Sequence, residues 1–350
     1  MRVLIREYGN LEARPSPVES FIAGSLLFHS LFGRRPLGTR DNRRMRRVVA
    51  FATCLVLCSS SPLEGCASAA TGSTLIIQSG GVAREYLLHV PASYDGRQAV
   101  PLVLVFHGGG GQDAGMERMS GMDAVADRDG FIVAYPQGLD RHWNDGRTDA
   151  SKADDVAFIK TLVSDLEIRY RIDPRRVYAS GISNGAFFSL RLACDLGGTF
   201  AAVAPVAGSL PVGFTPRCQG SPVSVFMING TADPLVLYNG GRVGGGFING
   251  GESIPVPQAA AAWASIDGCA TTPNESALSS AAAPDGTTTQ VASYHECARD
   301  ASVVLYTIDG GGHTWPDGPQ YLPKAIIGPV SHDFNASETI WQFFSAHPKD

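Results

Sequence analysis

Uninterrupted apolar runs alternate with helical stretches along most of the chain, and this alternation limits the fold more than any other feature. Such runs are typical of strands buried on both faces of a parallel sheet. The pattern therefore predicts an α/β fold, with a mostly parallel central sheet and helices on both faces. After a hairpin of Thr74–Gln78 and Glu85–Val90, the predicted strands are Pro101–Phe106, Phe131–Tyr135, Arg176–Ala179, Ala201–Pro205, Val223–Ile228 and Val303–Ile308. The predicted helices are Ala114–Arg128, Asp154–Tyr170, Asn184–Cys194, Gln258–Ile266 and Asn335–Ala346.

In two long segments between these elements, the apolar residues follow neither a helical nor a strand periodicity. The glycine-rich residues 238–257 follow a candidate catalytic carboxylate, and we expect them to line a substrate cleft. The small-residue tract 270–289 is expected to be a surface excursion between two cysteines. No insertion is long enough for a large cap domain, so residues 70–350 are predicted to form a single domain.

Charge is distributed unevenly along the 350-residue chain, whose net charge is −5. The first 69 residues contain ten Arg and five acidic residues, which leaves 18 basic and 28 acidic residues, a net −10, in the rest. A surface of this sign cannot release counterions from a phosphate backbone, so we expect no nucleic-acid binding. No apolar run reaches the roughly 18–20 residues that span a bilayer, so no integral membrane segment is expected.

Residues 1–69 have the features of an export leader. The basic run 43–47 precedes eleven uncharged, mostly apolar residues, 48–58, and then small and polar ones. A signal normally starts at its own methionine, whereas 44 residues precede Met45 here, so we predict that Met45 is the true start. The alternative is a long, unstructured leader. Two kinds of processing remain open: cleavage after Ala69, or lipidation of Cys66 in a lipoprotein-like box. Both would export the protein to the cell envelope or the medium.

Four cysteines follow the leader, an even number that suits disulfide bonds in an oxidising compartment. Three pairings are possible. The sequential one is favoured because each bridge closes a loop of modest length: Cys194–Cys218 and Cys269–Cys297. There is no C-x-x-C motif or closely spaced histidine pair, so no zinc site is expected.

Ser183 is the predicted nucleophile. It lies in a G-x-S-x-G motif, residues 181–185, that directly follows a predicted strand and opens a predicted helix. A serine hydroxyl needs a base, and the base needs a carboxylate that orients it. We expect the glycines at 181 and 185 to permit the close approach of strand and helix at this turn.

The expected chain order in this arrangement is serine, acid, histidine. Asp233 comes just after a predicted strand, and His313 lies on a glycine-built loop after the last strand. We predict that they are the acid and the base, with Asp309 as a reserve acid. Five other histidines are not expected to act as the base: His89, His142, His295, His332 and His347.

Glycines also dominate residues 107–111, which follow another predicted strand. Their backbone N–H groups are suited to stabilise an oxyanion, so Gly108 and Gly109 are candidate donors together with the N–H of Asn184. A phosphate-binding loop is not expected, because no Gly-Lys-Ser/Thr follows.

Six motifs together resemble the polyhydroxybutyrate depolymerase and feruloyl esterase group of α/β-hydrolases, over roughly residues 75–344. They are residues 104–109, 143–145, 154–158, 181–185, 230–233 and 312–315. The resemblance implies a secreted serine esterase that acts on short polyester oligomers or on acyl groups, such as feruloyl, esterified to polysaccharide. It implies no metal or organic cofactor.

Two roles are open for Trp143 and Trp315: they stack on an aromatic acyl group or a sugar of the substrate, or they form part of the cleft wall. The alternatives that the sequence leaves open are a peptidase of the same fold and a secreted binding protein that keeps the fold without catalysis. The oligomeric state is not predicted.

Overall fold

A ten-stranded sheet forms the centre of the computed structural model, which describes residues 73–147, 151–213, 222–246, 250–278 and 285–350. The strands are β1 Ser73–Ser79, β2 Val82–His89, β3 Val100–Phe106, β4 Ile132–Pro136, β5 Ile172–Ile182, β6 Ala202–Val206, β7 Ser224–Gly230, β8 Gly241–Arg242, β9 Glu252–Ser253, β10 Asn274–Ala277, β11 Thr288–Tyr294 and β12 Val303–Asp309. The helices are α1 Asp113–Ser120, α2 Met122–Asp129, α3 Asp155–Arg169, α4 Asn184–Asp195, α5 Val256–Ile266, α6 Lys324–Ile327 and α7 Ala336–Ala346.

The strand order in the large sheet is β1-β2-β4-β3-β5-β6-β7-β12-β11-β10. The six strands from β4 to β12 in this order are parallel to one another, and antiparallel strands complete both edges. The predicted α/β fold with a mostly parallel sheet is therefore confirmed. Because the central strands are parallel, the turns that follow β3, β5, β7 and β12 lie together at the edge of the sheet formed by the carboxyl ends of these strands.

Side chains on the two faces of the sheet pack into two separate hydrophobic layers. In β3, Leu102 and Leu104 point into one layer, whereas Val103 and Val105 point into the other. Helices α3, α4 and α5 cover the first layer, and α1, α2 and α7 cover the second. Burial on both faces explains why the central strands read as uninterrupted apolar runs.

The predicted helix Ala114–Arg128 is wrong in one respect, because two helices occupy this segment. Gly121 lies between α1 and α2 with a φ of 58°. Glycine adopts this left-handed conformation without the steric cost that a side chain brings, so it ends one helix and begins the next.

The tract 270–289 was expected to be irregular, yet it contains β10 and the start of β11, which extend the sheet beyond β12. These strands lie at a partly exposed edge, and their residues are largely small and polar, so no apolar run marks them. The segment 238–257 likewise contains a short antiparallel pair, β8 and β9.

The disulfide Cys269–Cys297 is present, as predicted. Cys194 is also disulfide-bonded, whereas Cys218 lies outside the described residues, so the pairing of these two stays a prediction. The leader, with Met45, Cys66 and Ala69, lies outside the described residues as well. In the part of the chain that the structure describes, no helix combines the length and apolarity needed to cross a membrane.

Candidate functional site

Ser183 is the single residue between β5 and α4, and its backbone is strained. Its φ is 57° and its ψ is −121°, a region that residues with side chains rarely adopt. The backbone N–H of Ser183 donates to the carbonyl of Val206, 3.0 Å away, at the end of β6. The turn holds a half-buried serine at the N-terminus of a helix, where a nucleophile is expected.

Two glycines allow the chain to pack tightly at this turn. A Cβ atom on Gly181 would lie 2.7 Å from the carbonyl oxygen of Phe106, the last residue of β3. A Cβ atom on Gly185 would lie 2.7 Å from the carbonyl oxygen of His107. Glycine at both positions therefore brings the start of α4 directly against the loop that follows β3.

Asp233 and His313 form a buried pair. The Nδ1 atom of His313 lies 2.7 Å from Oδ2 of Asp233, and the two side chains are 3% and 1% exposed. An ionised carboxylate only accepts hydrogen bonds, so Nδ1–H is the donor and Nε2 is left for another partner. Oδ1 of Asp233 accepts from the backbone N–H groups of Leu235 and Val236, each at 2.8 Å, which fixes the carboxylate.

The loop that carries His313 is held on both sides of the residue. The backbone N–H of His313 donates to the carbonyl of Ile327, and its own carbonyl accepts from the hydroxyl of Tyr321 at 2.9 Å. Burial raises the pKa of Tyr321, and the charge of Asp233 raises it further, so this hydroxyl stays protonated as a donor. The structure thus brings Ser183, Asp233 and His313 to turns after β5, β7 and β12, at one edge of the sheet.

The glycine loop after β3 lies beside Ser183. A Cβ atom on Gly108 would be 3.4 Å from Cβ of Ser183. The amide of Gly110 donates to Arg141 and that of Gly111 to Gly108, whereas the amides of Gly108, Gly109 and Asn184 have no acceptor among the described residues. The three amides predicted as oxyanion donors are therefore the ones left free for a ligand.

His107 fixes the conformation of this loop, a contribution that the sequence did not reveal. Its Nε2 atom accepts from the N–H of Gly138 at 3.0 Å, so Nδ1 is the protonated nitrogen and donates to the carbonyl of Gly108 at 2.8 Å. Burial lowers the pKa of His107 to about 4, which keeps the ring neutral in this role. A trans peptide points its N–H away from its C=O, so holding the Gly108 carbonyl also orients the N–H of Gly109.

The side chain of Asn184 ties α4 to the segment 143–147. Its Oδ1 accepts from the N–H of Trp143 at 2.8 Å, and its Nδ2 donates to the carbonyl of Trp143 and, at 2.6 Å, to Oδ2 of Asp145. Asp145 is 1% exposed. Three hydrogen bonds therefore fix the first residue of α4, whose backbone N–H is a candidate oxyanion donor.

The same carboxylate binds Arg147, which extends the network to the loop 238–257. Nη2 of Arg147 lies 2.5 Å from Oδ2 of Asp145, and its Nη1 donates to the carbonyl of Gly250 at 2.6 Å. The guanidinium also stacks on the ring of Phe187 in α4, at 4.3 Å from the ring centroid. In the sequence, Asp145 appeared only as part of a family-like motif and Arg147 in no motif, because their contacts depend on tertiary structure.

Trp143 and Trp315, the predicted substrate contacts, are both buried. Trp143 is 0% and Trp315 1% exposed. The indole N–H of Trp143 donates to the carbonyl of His107, and that of Trp315 donates to the hydroxyl of Ser337. The expectation of stacking on a substrate is therefore corrected: neither ring presents a face to a ligand in this structure.

Asp309, the reserve acid, binds elsewhere. Its Oδ1 accepts from the hydroxyl of Thr231 at 2.9 Å, while Asp233 occupies the Nδ1 side of His313. Within the described ranges, no group of three or more His, Cys, Asp or Glu side chains is arranged to hold a metal ion.

Comparison with known proteins finds a matching family profile, related sequences and a solved structure with a similar fold. The profile of the esterase PHB depolymerase family matches residues 85–240. Over 282 residues the chain is 36% identical to "Putative esterase NocK" of Nocardia uniformis subsp. tsuyamanensis, an alignment that covers 75% of this chain and 79% of that protein.

Feruloyl esterase B of Piromyces equi is 30% identical over 245 residues, which cover 67% of this chain but only 43% of that protein. Among solved structures, an acetyl xylan esterase from Aspergillus awamori superposes with a TM-score of 0.50 at 16% identity, over 69% of this chain and 94% of that one. At this identity the structural likeness concerns the fold alone.

Proposed function

Since the chain belongs to the esterase PHB depolymerase family and is a carboxylic ester hydrolase, we propose that it is a secreted serine esterase that works through an acyl-enzyme on Ser183. The buried hydrogen bond between Asp233 and His313, at the same sheet edge as the strained Ser183, carries this proposal. The chain order of the three residues agrees with it.

In the proposed mechanism, Nε2 of His313 removes the hydroxyl proton of Ser183 as Oγ attacks the ester carbonyl. Asp233 stabilises the imidazolium that forms. The free amides of Gly108, Gly109 and Asn184 stabilise the negative charge on the carbonyl oxygen. His313 then protonates the leaving alcohol, and water attacks the acyl-enzyme by the same route.

The proposed substrates are short polyester oligomers or acyl and feruloyl esters of polysaccharide. Relatives named feruloyl esterase support the second class. The disulfide Cys269–Cys297 supports the proposed export, because such bonds persist in oxidising compartments. The leader predicted in residues 1–69 agrees with this location.

The test compares wild type with Ser183→Ala and, as a matched control, Ser345→Ala, whose hydroxyl lies exposed on α7. Wild type and the control should hydrolyse p-nitrophenyl acetate and bind a fluorophosphonate probe, whereas Ser183→Ala should do neither while keeping its circular dichroism spectrum. Wild-type hydrolysis by Ser183→Ala would overturn the assignment of the nucleophile.

A substrate panel then separates the candidate classes. It contains methyl ferulate, acetylated xylan, short p-nitrophenyl esters, hydroxybutyrate oligomers and a peptide amide. We expect turnover of the esters and none of the peptide. A folded wild-type protein that does not react with the probe and hydrolyses none of the esters would instead be a binding protein of this fold. Preferential cleavage of the peptide would identify a peptidase.

A further inference from the structure

The turn at residues 138–142 packs beside the glycine loop and has an unusual backbone. Asp140 and Arg141 both have left-handed conformations, with φ values of 51° and 62°. Two consecutive residues with side chains rarely adopt this region, and such strain is concentrated at functional sites. The turn is also tight, because a Cβ atom on Gly138 would lie 2.5 Å from the carbonyl oxygen of His142.

Hydrogen bonds join this turn to the glycine loop. The amide of Gly110 donates to the carbonyl of Arg141 at 2.8 Å, and Nε of Arg141 donates to the carbonyl of Gly111 at 3.2 Å. The amide of Gly138 donates to His107, which in turn holds Gly108. The strained turn and the candidate oxyanion loop therefore form one hydrogen-bonded unit.

The result of this packing is that the ring of His142 lies against Gly109. A Cβ atom on Gly109 would be 3.3 Å from Cδ2 and 3.4 Å from Nε2 of His142, and 3.7 Å from Cβ of Asn184. Gly109 is thus flanked by His142 and by Asn184, and both Gly109 and His142 are exposed. The imidazole is therefore next to Gly109, one proposed oxyanion donor, and Gly109 is next to Asn184, another.

The hydrogen bonds of His142 determine what its ring can do. Nδ1 lies 2.8 Å from the carbonyl oxygen of Asp140, which only accepts, so Nδ1 carries a proton. In the neutral ring Nε2 is then an acceptor, and it has no partner among the described residues. An acceptor fixed in this way beside an oxyanion site is suited to bind a hydroxyl group.

We propose that Nε2 of His142 accepts a hydrogen bond from a substrate hydroxyl near the scissile ester. This inference rests on the proposed function and adds a specificity-determining residue to it. The hydroxyl belongs either to the acyl group, as in a phenolic or hydroxyalkanoic acid, or to a sugar that carries the ester. A site built to pair with a hydroxyl discriminates against the analogue that lacks it.

The experiment measures kcat and KM on three pairs of esters that differ in one feature. For the acyl side, the pairs are methyl ferulate with methyl 3,4-dimethoxycinnamate, and p-nitrophenyl 3-hydroxybutyrate with p-nitrophenyl butyrate. For the alcohol side, the pair is methyl 2-O-acetyl-β-xyloside with its di-O-methyl derivative. The pair that shows a preference identifies the source of the hydroxyl.

The variants are His142→Phe, which keeps a ring but removes the acceptor, and His142→Gln, which restores one. His347→Phe is the matched control, because His347 has the same Nδ1-to-carbonyl bond at the end of α7. Wild type and control should favour the hydroxylated member of at least one pair by about threefold to tenfold in kcat/KM. His142→Phe should remove this preference by lowering kcat/KM more for the hydroxylated member than for the other, and His142→Gln should restore part of it.

An active wild-type enzyme with no preference in any pair would overturn this inference alone. So would a His142→Phe variant that keeps the preference or loses activity equally on both members of a pair. A wild-type protein that hydrolyses none of the six esters would overturn the proposed function as well.

Discussion

His313 Nδ1 lies 2.7 Å from Oδ2 of Asp233, and both side chains are buried where β7 and β12 run side by side. The turns after these strands touch each other, since the amide of Ala232 donates to the carbonyl of Gly311 at 2.9 Å. The position of the base relative to its carboxylate is therefore set by the register of two neighbouring parallel strands.

We predict that Asp233→Asn lowers kcat for p-nitrophenyl acetate by about 10³–10⁴-fold, because an amide no longer fixes the tautomer of His313 or stabilises its charged form. Asp309→Asn is the control, since Asp309 binds Thr231, and its kcat should stay within a few-fold of wild type. Equal losses in the two variants would contradict the assignment of Asp233.

The sequence predicted those parts of the fold and site that depend on local pattern. Burial on both faces makes β3 uninterruptedly apolar, and short turns place Ser183, Asp233 and His313 after strands that are parallel. Each of these signals lies within a few residues of the side chain that it predicts.

The parts that the sequence did not predict depend on contacts between distant segments. The burial of Trp143 follows from its packing against Phe188 and its bond to His107, neither of which leaves a periodic signal. The edge strands β10 and β11 bury too little to need an apolar run. The ring of His142 meets Gly109 only because the strained turn directs it there.

Gly185 provides a test of the close packing at the nucleophile turn. In Gly185→Ala the new Cβ would meet backbone carbonyl oxygens of Phe106 and His107, which cannot move as a flexible side chain does. We expect a loss of about 1–3 kcal/mol in the free energy of unfolding, from urea denaturation, and a fall in kcat/KM. Gly198→Ala is the control, because open space surrounds a Cβ there, and it should change stability by less than about 0.5 kcal/mol.

The side chain of Asn184 allows positioning to be separated from chemistry. Asn184→Ala keeps the backbone N–H that we propose as an oxyanion donor but removes the bonds to Trp143 and Asp145. We expect kcat to fall by about 10–100-fold with little change in KM, because a displaced donor weakens binding of the transition state more than of the substrate.

Ser189→Ala is the matched control for this variant, since it removes only a bond to the carbonyl of Gly185 within the same helix. Its kcat should stay within about twofold of wild type. If Asn184→Ala retained full kcat, the network around Asp145 would have a structural role alone.

Asp267, at the end of α5, makes stability depend on pH. It is 1% exposed, its Oδ1 accepts a long 3.3 Å bond from the amide of Val223, and its Oδ2 has no partner among the described residues. Burial raises its pKa from 3.8 to about 7. Between these two values the folded protein holds a proton that the unfolded chain releases, so stability falls as the pH rises from about 4 through 7.

Asp267→Asn removes this titration while keeping a side chain of similar size. Between pH 5 and pH 8, the free energy of unfolding of the variant should therefore fall by about 1–3 kcal/mol less than that of wild type. Asp95→Asn, at an exposed carboxylate, should leave the pH dependence as it is in wild type. If the free energy of unfolding declined equally between pH 5 and pH 8 in wild type and in Asp267→Asn, groups other than Asp267 would be the cause. Those groups would also have to bind their protons more tightly in the folded protein, because only such groups make stability fall as the pH rises.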